Sequence, residues 1–377
     1  MRQIRIGLVG GGWMGHAHAS AFQNALLAFG PEPAVPVFEA VCTLSSDPSQ
    51  DVKDTFGFRR STARWQDLVI DPDIDLVDIA TPNSSHAGIA LAAIANGKHV
   101  YCETPLARSV ADSRSMAEAA EQANVVNLAS YNYLRNPIQS LAKKLATPDR
   151  LGEIMSFRAT FDQDVVLDPS FPFTWRMDRS VAGTGALGDM GSHAISLALM
   201  LVGPIHQVSG MVKTFVTERP TADGAATRRV ENEDIAQFIC EFKNGALGHF
   251  SASRLGTGRK LGLTYEIQGR NGAICFNQER MNELDFFRQD EPQEIRGYKT
   301  IYTGPEQPGY AAFHPIPGVA LGFNDQKTLE VRELVKAIAE SGPVLTDFRF
   351  GYEVDRVIEA VMQSVRSRGW VPLSEIE

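Results

Sequence analysis

The chain has 377 residues, with 36 Lys and Arg against 45 Asp and Glu, a net charge of -9, 44% hydrophobic and 21% charged residues. That is the composition of a globular protein long enough for two cores, and its acidity argues against a general nucleic-acid surface, which needs clustered Lys and Arg. Cys42, Cys102, Cys240 and Cys275 form no Cys-x-x-Cys pair, so neither a zinc ribbon nor a disulfide framework is suggested and reduced thiols in the cytoplasm are expected. The apolar run after Arg2 and Arg5 is only strand-length and no later run would span a bilayer, so neither a leader nor a membrane partner is expected.

The first run, Ile4 to Gly15, is an apolar strand that enters the turn Gly10-x-Gly12-x-x-Gly15 and leads into a helix-compatible stretch at 16–29. Such a turn needs Gly10 to bend tightly, Gly12 to let the backbone approach a pyrophosphate, and Gly15 to let the helix pack on the strand; the helix N-terminus then meets the anion. A second strand is predicted at 37–44, followed by a turn at Ser45-Ser46-Asp47-Pro48. Then come a strand at 76–80, a helix at 86–96 stopped by Gly97, a strand at 99–102, a helix at 110–124 and an extended segment at 125–130. Alternation of this kind predicts a doubly wound parallel sheet, an NAD(P)-binding Rossmann domain over 1–135.

Past Asn136-Pro137 and a helix ending near 147, the pattern changes to polar-apolar alternation at 154–161, 207–216, 235–242, 246–253 and 263–268. Asn244-Gly245 and Asn271-Gly272 are dipeptides that join antiparallel strands. Helices at 325–340 and 352–368 close the chain. The expectation for 136–377 is an α+β domain with a large, mostly antiparallel open sheet. Its uncovered face suits self-association.

Two places carry chemistry. The loops Thr81-Pro82-Asn83-Ser84-Ser85-His86 and Glu103-Thr104-Pro105 follow Rossmann strands at the edge where ligands bind, so Asn83 and Glu103 are placed to hydrogen-bond a nicotinamide or its ribose. Asn83 or Ser84 as a plain helix cap is the structural alternative. Further on, a glycine-rich run carries Asp189 and His193, four residues apart, which a helix would present on one face. Glycines there would keep the surroundings open to another molecule. Oxidising a secondary alcohol needs a group that takes the hydroxyl proton, and histidine titrates in the right range; the structural alternative is a first-turn acid beside a buried histidine. His16 and His18 lie on different helix faces with no third ligand, so no metal is expected.

Taken together, Gly10-x-Gly12-x-x-Gly15, Thr81-Pro82-Asn83, Cys102-Glu103-x-Pro105-Leu106, Asn132-Tyr133, Trp175-Arg176 and the stretch with Asp189 and His193 resemble the Gfo/Idh/MocA oxidoreductase family along the whole chain. Tyr302-Thr303-Gly304-Pro305, Pro315-Ile316-Pro317 and Gln163-Asp164 look like its members that act on anhydrosugars and inositols. The resemblance implies oxidation of a cyclic polyol or pyranose hydroxyl with a nicotinamide cofactor, no metal, and a homo-oligomer, tetramer or dimer, built through the second sheet. Carried onto this chain, it implies His193 as base with Asp189 beside it, and Arg176, Tyr133 and Gln163 around the substrate; Arg176 on a surface carboxylate is the alternative, and His314, next to Pro315-Ile316-Pro317, either reaches the substrate or lies at a surface or interface. The cofactor set is Gly10, Gly12, Trp13, Met14, Gly15, Ser45, Thr81, Pro82, Asn83, His86, Glu103 and Asn132. The family's Glu-Lys-Pro is Glu103-Thr104-Pro105 here. A threonine donates a hydrogen bond but supplies no positive charge to lower an alcohol's pKa. Three readings of Thr104 stay open: an impaired enzyme, a dehydrogenase relying on His193 alone, and a non-catalytic NAD(P)-binding sensor; the family also includes NAD-dependent glycosidases. The ribose-gripping acid of the second strand is Thr43 here, with no arginine nearby, and NAD is expected ahead of NADP.

Overall fold

The computed structural model describes residues 2–43 and 46–376. These divide into two compact units, Met1–Arg135 with Gly322–Glu353, and Asn136–Leu321 with Val354–Glu377. In the first, β1 (Gln3–Val9), β2 (Val35–Cys42), β3 (Arg60–Thr62), β4 (Leu76–Ile79), β5 (His99–Cys102) and β6 (Asn127–Ala129) pair in the order β3-β2-β1-β4-β5-β6. Every pair is parallel. All four residues of β4 are buried, as a strand covered on both faces requires. Helices α1 (Trp13–Phe29), α2 (Ser46–Phe56), α3 (Trp65–Val69), α4 (His86–Ala95) and α5 (Val110–Ala123) make the crossovers. Ser109 caps α5 by accepting from the Asp112 N–H at 3.2 Å, and Asn124 ends it with φ +50°; both are the residue types those positions favour. The strand order reverses between β1 and β4, which marks the ligand crevice of a doubly wound sheet.

One expectation changes here. A helix begins at Ser46 where a turn was predicted over 45–48; proline in the first turn of a helix removes no intrahelical hydrogen bond.

The second unit contains α6 (Pro137–Leu145), α7 (Pro148–Leu151), α8 (Arg179–Ala182) and α9 (Ser192–Leu201). Its strands are β7 (Ile154–Asp162), β8 (Ile205–Lys213), β9 (Glu218–Pro220), β10 (Thr227–Arg229), β11 (Ile235–Phe242), β12 (Leu247–Ser253), β13 (Gly262–Gly269), β14 (Gly272–Asn277), β15 (Glu283–Arg288), β16 (Lys299–Tyr302) and β17 (Val371–Pro372). Nine of them form one sheet, β16-β15-β14-β13-β7-β12-β11-β8-β17, while β9 and β10 make a separate pair. Pairing in the sheet is antiparallel except between β7 and β12. Asn244-Gly245 and Asn271-Gly272 turn the β11–β12 and β13–β14 hairpins. The strand expected to reach 216 stops at Lys213, because the N–H groups of Phe215 and Val216 donate to Asp234 Oδ2 at 2.7 and 2.9 Å.

One face of this sheet is aromatic and buried: Phe238 stacks on Phe250 with centroids 4.4 Å apart, and Phe157 packs against Phe250 and Tyr265. Alternate residues face the other way, and among them Met211, Ile239 and Leu247 are exposed.

Helix α10 (Phe323–Glu340) belongs to the first unit. Val331, Leu334, Val335 and Ile338 repeat at i, i+3, i+4, i+7 and join the core of Ile4, Ile6, Phe22, Leu76, Tyr101 and Leu128, as an amphipathic stripe does. Segment 322–353 therefore packs with the Rossmann unit, although the sequence division assigned everything after 135 to the second domain. The last helix, α11 (Phe348–Ser367), runs from one unit into the other, and in the second unit Ser364 Oγ accepts from the Gly210 N–H at 2.9 Å. Among the described residues no helix is long and apolar enough to cross a membrane.

Candidate active site

The glycine turn sorts its residues by what a side chain would meet. A Cβ at Gly10, whose φ is +115°, would lie 2.3 Å from the Ala80 carbonyl oxygen, and one at Gly15 would lie 2.0 Å from the Gly10 carbonyl oxygen. Those two glycines are required by the chain itself. At Gly12 a Cβ would meet nothing within 4 Å. Helix α1 starts at the next residue with no side-chain cap and no acid in its first turn, so the amides of Trp13, Met14 and Gly15 are left for an anion. The residues fit a dinucleotide pyrophosphate. Thr43 is buried beneath the turn, its Cγ2 2.5 Å from where a Gly11 Cβ would be. Trp13 is exposed and stacks on Phe323 at 5.6 Å. Ser45 lies outside the described residues.

In the loop after β4, Asn83 is buried, and Ser85 Oγ donates to Thr81 Oγ1 at 2.6 Å or the Pro82 carbonyl at 2.8 Å. His86 corrects an expectation. Its ring is wholly enclosed, with Nε2 on the Thr81 carbonyl at 2.9 Å and Nδ1 near the carbonyls of Pro105 and Leu106 at 3.2 and 3.3 Å. It ties the two loops together and has no face left for a nucleotide. Burial holds the imidazole below its ordinary pKa despite those carbonyls. Asn132 is also enclosed, Nδ2 donating to Gln326 Oε1 at 3.5 Å, and Tyr133 sets its ring edge-on to Phe323 at 6.1 Å.

Glu103 sits in a cluster that sequence reasoning missed. Its Oε1 accepts from Lys327 Nζ at 2.7 Å and bonds His18 Nε2 at 2.7 Å; its Oε2 accepts from the Thr104 N–H at 3.1 Å. His18 Nδ1 bonds Asp78 Oδ1 at 2.8 Å, and the ring stacks on Tyr101 at 4.3 Å. Burial pulls the His18 pKa down, but Asp78 and Glu103 outweigh it and raise it to about 9. Burial likewise pushes the Glu103 carboxyl up, yet Lys327 and His18 hold it well below the usual carboxylate range. His18 gave one usable signal, its place on the apolar face of α1 with Phe22 and Ala25. Lys327 gave none, being 224 residues from Glu103. Among the described residues no group of three or more His, Cys, Asp and Glu is gathered to hold a metal.

In the second unit, Asp189 falls in a π-helical turn, Leu187–Gly191, and His193 is the second residue of α9. The spacing was read as α-helical. Where that turn begins, Glu233, buried, accepts at Oε1 from the N–H of Gly185 at 2.7 Å and of Leu187 at 3.0 Å; π turns of this kind are frequent at functional sites. Gly185 is there for packing rather than openness, since a Cβ would lie 2.1 Å from the Glu233 carbonyl oxygen. Asp189 Oδ1 accepts from Arg176 Nε at 3.5 Å and Oδ2 from Arg254 Nη2 at 3.0 Å. Burial raises the Asp189 carboxyl, but Arg254 and then Arg176 overcome it and keep the group below its ordinary pKa. Arg254 was not anticipated; Arg176 lies over the Trp175 ring at 4.4 Å. His193 is half-buried, its ring 6.0 Å from that of Phe161. Gln163 is clamped through its backbone, N–H to the Ser253 carbonyl and carbonyl to the Gly256 N–H, both at 2.8 Å. His314 is half-buried beside Tyr310.

Residues 4–131 match the oxidoreductase family with an NAD-binding Rossmann fold, and 140–275 match the GFO/IDH/MocA C-terminal domain. Over the full length of both proteins the chain is 39% identical to levoglucosan dehydrogenase of Pseudarthrobacter phenanthrenivorans. The chain belongs to the Gfo/Idh/MocA oxidoreductase family. A structure of levoglucosan dehydrogenase in complex with NADH and L-sorbose superposes with a TM-score of 0.96 at 39% identity, covering 99% of each chain. An NAD-binding oxidoreductase from Klebsiella pneumoniae gives 0.94 at 38% identity, covering 98% of this chain and 99% of its own. As a Gfo/Idh/MocA protein the chain is an NAD-dependent oxidoreductase acting on CH-OH groups, and the glycine turn lies inside the matched NAD-binding segment.

Proposed function

We propose that the chain oxidises a secondary hydroxyl of a cyclic sugar or polyol, an inositol, pyranose or anhydrosugar, using NAD, with His193 as the proton acceptor. The observation that carries this reading is the pinning of Asp189 between Arg176 and Arg254 one turn before His193. An ionised, immobile carboxylate there favours the imidazolium that forms as the hydroxyl proton leaves. The 39% identity to levoglucosan dehydrogenase supports the substrate class.

NAD supplies the hydride acceptor. The turn amides after Gly12 bind its pyrophosphate, while Thr81, Pro82, Asn83 and Glu103 orient the nicotinamide and ribose. Arg176, partly exposed, offers donors to ring hydroxyls, and Gln163, His314 and Tyr133 are the further residues assigned to the substrate. The second unit is the substrate-binding unit, and the sheet face with Met211, Ile239 and Leu247 is where copies associate as a dimer or tetramer. The four cysteines, all free thiols, suit the cytoplasm.

Thr104 favours a second reading, an NAD-binding sensor without turnover, because the residue next to Glu103 carries no charge of its own. The test is a screen of the purified protein with NAD and NADP against inositols, aldoses and anhydrosugars, following NADH absorbance. The dehydrogenase reading expects NADH with at least one ring compound and its loss in His193→Ala with NAD binding retained. NADH formation unchanged in His193→Ala overturns the assigned base. Tight NAD binding with no turnover favours the sensor, and glycoside cleavage without net NADH identifies a glycosidase.

A further inference from the structure

The Lys327–Glu103 ion pair belongs to a larger set of charges enclosed in the first unit. Lys327 Nζ also donates to Ser130 Oγ and lies 3.5 Å from Glu330 Oε2, which accepts from Tyr101 at 2.6 Å and Ser130 at 2.9 Å. His18 joins Glu103 to Asp78. Three carboxylates, Asp78, Glu103 and Glu330, thus face two bases, His18 and Lys327. At the side chains, His18, Asp78, Lys327 and Glu330 are at most 1% exposed, and only Glu103, at 13%, reaches the surface. That opening is at the carboxyl end of β5, the edge where a sheet of this order binds its ligand.

An enclosed set with an odd carboxylate is a poor device for stability alone, since apolar residues of similar volume do that better. Its sign matters to a ligand that changes charge. The nicotinamide ring is positively charged when oxidised and neutral when reduced, so the carboxylate of Glu103, held ionised by Lys327 and His18 at the one opening of the cluster, attracts one form and not the other.

We propose that this buried cluster sets the redox-state preference of the cofactor site, with Glu103 presenting the negative charge to the ring, Lys327 and His18 as positioning residues, and Glu330 as a further acid behind Lys327. The inference rests on the reading that the nicotinamide lies beside Glu103. The preference raises the fraction of enzyme holding NAD in the form that accepts hydride and leaves the solution equilibrium of the reaction untouched.

Calorimetric titration of the full-length protein with NAD+ and with NADH, at one pH and salt concentration, tests this through the ratio of the two Kd values. The unaltered protein is expected to bind NAD+ more tightly. Glu103→Gln removes a charge with little change of shape and should move the ratio toward NADH by about tenfold, the size of a single-charge effect across a partly buried gap; Glu330→Gln, further back, should move it the same way by less. Lys327→Met should move it the opposite way, and Lys327→Arg should restore it. A structural role alone weakens both forms equally, so an unmoved ratio in the two glutamine variants overturns the proposal even if Lys327→Met does not fold. If the unaltered protein binds neither form, the cofactor reading falls with it.

Discussion

Lys327 Nζ and Glu103 Oε1 are 2.7 Å apart inside the first unit although 224 residues separate them in the chain. Helix α10 brings the ammonium to the carboxylate that precedes Thr104, so a lysine does act on this loop, from another element than the one the family motif uses. Because Lys327 is buried, removing it leaves Glu103 and Glu330 without their common partner. Lys327→Met should lower unfolding stability by about 3–5 kcal/mol, the range for breaking a buried pair from one side, read from urea denaturation.

His18 gives a pH dependence of definite sign. Its pKa rises on folding from an ordinary value near 6.5 to about 9. Its contribution is therefore full below about pH 6.5 and is lost as pH climbs to and past 9. Unfolding free energy measured from pH 6 to 10 should show this decline, and His18→Gln should flatten it; an identical slope in the variant would assign the decline to other groups.

Two glycines of the turn, Gly15 and Gly12, should separate by phenotype. Gly15→Ala forces a Cβ against the Gly10 carbonyl and should cost roughly 1–3 kcal/mol, as overpacking does, with a lower melting temperature. Gly12→Ala meets open space within the protein, so its melt should stay within about 0.5 kcal/mol of the parent while NAD affinity falls at least tenfold. Thermal melts with and without NAD distinguish the two.

Gly185→Ala pushes on the Glu233 backbone and displaces the π turn that carries Asp189. Turnover should fall by two orders of magnitude or so, the scale of a lost general base, with NAD affinity unchanged, as titration of the variant would reveal.

Thr104→Lys adds the charge that the family places beside Glu103. At saturating NAD and sugar, kcat should rise by about tenfold or more, within the span of acid-base effects. No gain on any polyol, with NAD still bound, supports the sensor.

The chain by itself determined the nucleotide half: short apolar strands, helices between them and glycines at 10, 12 and 15 are local signals, and the strand-turn-helix they specify is local as well. It also determined that the second unit is a sheet of hairpins, since Asn-Gly dipeptides act on their immediate neighbours. Its reading of 189–193 as an ordinary helix missed both the π turn at 187–191 and Glu233, more than forty residues on, whose carboxylate accepts from Gly185 and Leu187. His86 was misread for a related reason, because spacing indicates which loop a residue occupies and not whether its ring faces outward. Only the tertiary structure could decide that α10 packs into the Rossmann unit, that Arg254 shares Asp189 with Arg176, and that Lys327 reaches Glu103. Those partners are joined by burial and charge across long stretches of chain, and no period or spacing in a sequence records which distant side chain will neutralise a buried carboxylate.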